Sequence, residues 1–204
     1  GIALSELMKG ISLENRFGFE EVIFLLLFNK LPNSLELRDF KDLLFSYQVF
    51  PDGYVEDVII KIPAHNIMNK MQRAFLTLYS YDEKADDISI LNVLEQSLKL
   101  IAKAPMIMAY SYHAKRHSFD GADLMFNRPV LNMSMAENIL HIIFGNGNYT
   151  MEEVALLDML LMVQAEHGGG NNSTFATHVV SSTGTDTYSA MATAIGSLKG
   201  PKHG

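Results

Sequence analysis

Apolar side chains recur along this chain three and four residues apart, the spacing that gathers them on one face of an α-helix. The run FEEVIFLLLF (19–28) reads as a short buried helix, stopped near the proline of KLPN. Asn33 and Glu36 stand at capping-box spacing and open a helix through about Tyr47. PDGY then makes a turn. HNIMNKMQRAFLTLYS (65–80) predicts a helix with Met68, Met71, Phe75, Leu76 and Tyr79 on one face. The longest pattern runs from Ile88 to His117 and contains Pro105, which should kink or divide it.

HSFDGADLMFNRP reads as a loop. Further helices are expected over 134–144, ending on GNGN, and over 151–166, 173–182 and 186–198, with a turn around Gly184. VEDVIIKI has a β-like composition, yet it fits a helix equally well. The pattern therefore predicts an all-α protein.

Composition changes this picture little. Of 204 residues, 48% are hydrophobic and 19% charged, as in ordinary globular proteins, and no apolar run has membrane-spanning length. The start, GIALSELMKG, lacks the regions of a signal peptide. With no cysteine, disulfides, thiolate metal sites and a cysteine nucleophile are excluded, and a reducing cytoplasm fits. The net charge of −7 argues against a nucleic-acid partner, whose phosphates need clustered Lys and Arg. Gly1 begins on what reads as an interior helix and the sequence stops at GPKHG, so a piece of a longer protein is expected.

Candidate chemistry concentrates at a few histidines. His113 and His117 in HAKRH stand four apart, a spacing that could place two imidazoles on one metal. Lys115 and Arg116 would repel a cation. The stretch therefore reads as a solvated basic helix end, and no metal site is expected. His167 closes the 151–166 pattern and precedes Gly168, Gly169 and Gly170. One glycine suffices to end a helix. Three of them, followed by Asn171, Asn172 and Ser173, put bare backbone and polar side chains at the next helix start, where free N–H groups can hold an anion. GSLKGPKHG fails as a phosphate loop, because Gly196 and Gly200 enclose three residues rather than four.

AEHGGGNNSTF, the following TGTDTYSAMATAIGSLKGPKHG, and their separation together resemble the citrate synthase family. FEEVIFLLLFNKLPNSLEL, AHNIMNKMQRAF and LIAKAPMIMAYSYH match it more loosely, so the resemblance covers essentially the whole chain. It implies a two-domain, nearly all-helical homodimer that condenses oxaloacetate with acetyl-CoA to form citrate. The thioester enters as a substrate and no cofactor is needed. Residues 1–198 would be an incomplete large helical domain, and 199–204 the start of the small domain. His203 falls on the family's first catalytic histidine, which hydrogen-bonds the enol(ate) oxygen forming from acetyl-CoA. His167 falls on a histidine that binds oxaloacetate. Asn171 and Ser173 fall on residues lining that pocket, the serine hydroxyl orienting the catalytic imidazole.

Two departures matter. Gln164 stands where most relatives carry a histidine, and glutamine cannot titrate. The family's second catalytic histidine, its base aspartate and its carboxylate-clamping arginines lie downstream of GPKHG, so this sequence alone is expected to be inactive. A 2-methylcitrate synthase, using propionyl-CoA through the same residues, is a close variant. A non-catalytic helical dimerisation or regulatory module is the reading from another class, and the retained His167, Asn171, Ser173 and His203 argue against it.

Overall fold

The computed structural model describes residues 2–166 and 168–203. The α-helices among them are Leu4–Leu13 (α1), Phe19–Phe28 (α2), Ser34–Ser46 (α3), Ile67–Thr77 (α4), Ile90–Asp120 (α5), Met135–Phe144 (α6), Met151–Gln164 (α7), Asn172–Ser181 (α8) and Thr187–Ser197 (α9). A π-helical segment, Val55–Ile60, precedes α4, and a 3-10 turn, Leu78–Tyr81, follows it. No strand occurs among the described residues, so the fold class is all-α as expected. The chain divides into two compact units, residues 1–46 with 127–167 and residues 47–126 with 168–204.

In the first unit, α2 begins where its sequence cannot cap it. Gly18 occupies the cap position, and a Cβ there would run into the Ile11 side chain, which packs with Val22 and Met162. Glycine is required for this close approach, and glycine has no side chain to satisfy the first N–H groups. Asp158 of α7 does so instead. Its Oδ2 accepts from Gly18 N at 2.8 Å and its Oδ1 from Phe19 N at 3.1 Å. The carboxylate is buried, and burial pushes its pKa up against the opposing pull of those two N–H groups and of Lys41 and Arg16. Glu20, in the first turn of α2, repeats the device by accepting from Met135 N at 2.8 Å, at the start of α6. Burial pushes its carboxyl up too, opposed by Lys41. Local caps serve elsewhere: Ser134 opens α6, and Thr150 with Glu153 forms a capping box on α7.

In the second unit, α5 is a single helix of 31 residues that runs through Pro105 without dividing. An interior proline costs about 3 kcal/mol or more. The residues around it, Ala102, Met106, Ile107, Ala109 and Tyr110, are all buried and hold both halves in the core. HSFD, expected in a loop, belongs to α5, which ends on left-handed Gly121. The face of α4 also differs from its apolar spacing. Lys70, Ala74 and Phe75 are buried, whereas Leu76 is 47% exposed. Lys70 points inward because its ammonium donates to the carbonyls of Val58 and of Ile62 (2.6 Å), free acceptors at the end of the π-helical segment. The VEDVII part of VEDVIIKI is thus a short π-helix, the helical alternative rather than a strand. Lys103 on α5 likewise donates to the Tyr47 carbonyl at 2.5 Å. Burial lowers both lysines to a pKa of about 8. The small residues of α9, Ala190, Ala192 and Ala194, are buried where this helix packs against α4 and α8.

Replacing Asp158 by alanine leaves the buried N–H groups of Gly18 and Phe19 without an acceptor. The loss should be about 1–3 kcal/mol of stability. Urea unfolding followed by circular dichroism would show the midpoint fall with an unchanged slope; an unchanged midpoint would mean that the cap contributes nothing.

Candidate functional site

The segment entering α8 is built as a helix start with space in front of it. Gly168 takes a left-handed backbone (φ +76°), and a side chain added at Gly169 or Gly170 would meet nothing within 4 Å. Asn171 is the cap of α8. Its Oδ1 accepts from Ser173 N at 2.9 Å and from Ser173 Oγ at 2.7 Å. The hydroxyl proton of Ser173 is therefore committed to Asn171, and its oxygen lone pairs remain as acceptors. With Asn171 Oδ1 occupied, its amide N–H groups remain as two donors. These join the positive end of the helix at one place, an arrangement suited to carboxylate oxygens. No residue of α8 is buried.

His203 lies beyond the other end of α9. Lys199 N donates to Gly196 O at 3.2 Å and His203 N to Gly200 O at 3.1 Å, so two successive turns carry the chain from helix to imidazole. His203 is exposed. The structure thus joins Asn171 and Ser173 directly. Among the described residues no hydrogen bond links His203 to either, although α8 and α9 pack against each other. His167 lies outside the described residues.

The start of α9 contains a polar cluster that no motif announced. Asp186 caps the helix through Ser189 N at 2.8 Å. Next to it the Tyr188 hydroxyl donates to Asp82 Oδ2 at 2.7 Å, Gln96 Nε2 donates to the same oxygen at 2.9 Å, and Thr187 Oγ1 donates to Gln96 Oε1 at 2.5 Å. Although burial acts to raise it, the Asp82 carboxyl is held below its usual range by these donors and the Lys84 N–H. Its partners are distant in sequence, so spacing could not reveal them.

The HAKRH stretch is not the fully solvated helix end it was expected to be. His113 is only 5% exposed, with the Tyr112 ring edge-on at 5.5 Å. His117 Nδ1 lies 2.8 Å from the Ala122 carbonyl, closing the end of α5. Among the described residues, no group of three or more His, Cys, Asp or Glu side chains could hold a metal ion. No described helix is long and apolar enough to cross a membrane.

The family model for the citrate synthase C-terminal domain matches residues 1–204, and the chain belongs to the citrate synthase family. The 2-methylcitrate synthase 1 of Corynebacterium glutamicum is 31% identical over 209 residues, covering 100% of this chain and 51% of that protein. The crystal structure of citrate synthase from Pyrobaculum aerophilum is 34% identical with a TM-score of 0.76, covering 91% of this chain and 46% of that one. A ternary complex of citrate synthase from Thermoplasma acidophilum with carboxymethyl coenzyme A and oxaloacetate has a TM-score of 0.82 at 24% identity, covering 96% of this chain and 49% of that one, a likeness of fold. The chain spans about half the length of these relatives.

Asn171→Ala removes the acceptor at the start of α8 and should lower the local stability of that helix by about 1 kcal/mol. Asn171→Asp keeps the acceptor and should not. Amide hydrogen exchange across 172–181 resolves the two, and equal protection in both variants would mean that α8 is held by packing alone.

Proposed function

We propose that this chain forms part of a citrate synthase-type acyltransferase, which condenses acetyl-CoA with oxaloacetate to citrate and CoA. The observation that carries the reading is the Asn171–Ser173 cap at the glycine-led start of α8, in a chain that matches the family along its whole length. In this reading the donors of Asn171 and the start of α8 take the oxygens of dianionic oxaloacetate, together with His167. His203 donates to the enol(ate) oxygen that develops from the thioester carbonyl, stabilising charge present only in the transition state. Ser173 Oγ, its proton given to Asn171, accepts from an imidazole N–H and so sets that ring's orientation. The CoA thioester is a substrate, and no cofactor is invoked. The enzyme is proposed to be cytoplasmic, consistent with a chain without cysteine.

A 2-methylcitrate synthase is the second reading. It is favoured by the 2-methylcitrate synthase relative that matches along the entire chain. Propionyl-CoA adds one methylene to the same reaction, so comparing turnover of the two thioesters separates the readings.

A two-fold homodimer is proposed as the working form. On α7 the residues Leu156, Met159, Leu160 and Val163, spaced as one helical face, are between 43% and 57% exposed. On α8 the exposed Phe175 and Val179 form a similar stripe. Obligate dimer interfaces bury roughly 2,000–5,000 Å² of such apolar surface, and two-fold pairing covers the same face on both copies.

In an active enzyme containing this sequence, His203→Ala should lower kcat about 10²–10⁴-fold with little change in KM for oxaloacetate. His167→Ala should chiefly raise that KM. The opposite pattern in steady-state kinetics would exchange the two roles.

The dimer has its own test. Sedimentation of the 204-residue chain at micromolar concentration should give a dimer, and Leu156→Asp with Leu160→Asp should give a monomer. A soluble monomer before substitution would refute self-association through these faces.

A further inference from the structure

The helix leading to His203 is held at both ends by different means. Its start is tied by hydrogen bonds from Thr187 to Gln96 and from Tyr188 to Asp82. Near its end, the Gln72 side-chain amide of α4 lies directly against the α9 backbone at Gly196. A Cβ placed on Gly196 would come within 2.5 Å of Gln72 Nε2, 2.7 Å of Cδ and 2.8 Å of Oε1. Such distances are excluded for real atoms, so the amide fills the place a side chain would take. Gly196 lies within the helix and is not among the residues of positive φ, so its conformation does not require glycine. The place its Cβ would take is filled by the Gln72 amide, the far end of a flexible side chain.

What lies downstream gives this contact its meaning. The Gly196 carbonyl accepts from Lys199 N, and the Gly200 carbonyl then accepts from His203 N. Two short turns, with the restricted Pro201 in the second, connect the seat to the imidazole. Gln72 thus braces the last turn of α9, seven residues before His203. A few tenths of an ångström of drift there is passed along both turns, and misplacement on that scale matters for a group aimed at a developing charge.

We propose that Gln72 is a positioning residue for His203, its amide seated on Gly196 fixing the end of α9 and the turns that present the imidazole. The inference rests on the reading of His203 as the reacting group, but the seat can be tested without any turnover. The test uses the ring-proton NMR signals of the seven histidines in the 204-residue chain, assigned by single His→Gln substitutions and followed through a pH titration.

Gln72→Ala empties the seat. Gly196→Ala evicts the amide, which is the flexible partner and yields before the backbone does. Both variants should shift the His203 signal and broaden it, while the histidines remote from α9 keep theirs and the melting temperature stays within a few degrees. Because both remove one contact, the double variant should match either single variant rather than add their effects. Gln72→Met refills the space without an amide and should return the His203 signal toward its original position.

An unmoved His203 signal in Gln72→Ala, or a double variant whose shift is the sum of the singles, would overturn the proposal. If Gly196→Ala disturbs all seven signals, the helix itself has moved, and Gln72→Ala with its Gln72→Met rescue decides alone. A finding that His203→Ala leaves condensation intact would remove the catalytic reading and leave the seat standing, so the two failures are distinguishable.

Discussion

Each helix end leaves backbone groups without intrahelical partners, and in an all-α protein with buried ends those groups must be satisfied from somewhere. The first unit meets this need most visibly at Gly18. Packing against Ile11 excludes any side chain there, so the acceptor for the first N–H groups of α2 is Asp158, 140 positions away in sequence. The contact does more than cap a helix. It fixes α7 against the start of α2, whose Glu20 then supplies the acceptor for Met135 at the start of α6. One steric restriction at a glycine thus links three helices through two buried carboxylates.

The second unit meets the same need with cations at carbonyls. Lys70 and Lys103 turn inward to cover acceptors at Val58, Ile62 and Tyr47, and burial lowers both ammonium groups to a pKa of about 8. The hydrogen bonds make this burial tolerable, since an unpaired ammonium in the core would discharge instead. Tyr54 works in the same way with a neutral group: its buried hydroxyl donates to the Ala74 carbonyl at 2.5 Å. Its ring stacks on Phe50 and meets Tyr81 edge-on. Polar side chains here serve backbone geometry first, and their electrostatics follow from that placement.

This division explains what could be read from the sequence. Elements whose ends are capped by near neighbours were legible: Asn33 with Glu36 marked α3, and the expected helix starts at 134 and 186 are the capping residues Ser134 and Asp186. The bounds of α2 were legible from its apolar run even though its cap is distant, but which side chains turn inward was misread where the partners are distant. Apolar spacing put Leu76 on the inner face of α4 because it could not assign Lys70 there, and HAKRH looked solvated because nothing local shows that His113 is buried. Pro105 was expected to kink or divide the long helix, and it does not divide it, since the cohesion of the buried residues around it is a tertiary property. At the candidate site, the pairing of Asn171 with Ser173 follows from cap spacing and was legible as a polar helix start. The Asp82–Gln96–Tyr188 cluster and the Gln72 seat on Gly196 join residues distant in sequence, and no single-sequence signal carries them.

The site is itself a helix start, and it departs from the rule the rest of the chain obeys. At Gly18 the cap is buried, doubly bonded and contributes to the core. At α8 the cap reaches only Ser173, Gly169 and Gly170 before it face open space, and no residue of the helix is buried. The order of α8 therefore comes from its packing on α9, while Phe175 and Val179 stay exposed. In the reading proposed above, an anion bound at this start would raise the order of α8, because binding to the ordered form alone stabilises it by mass action.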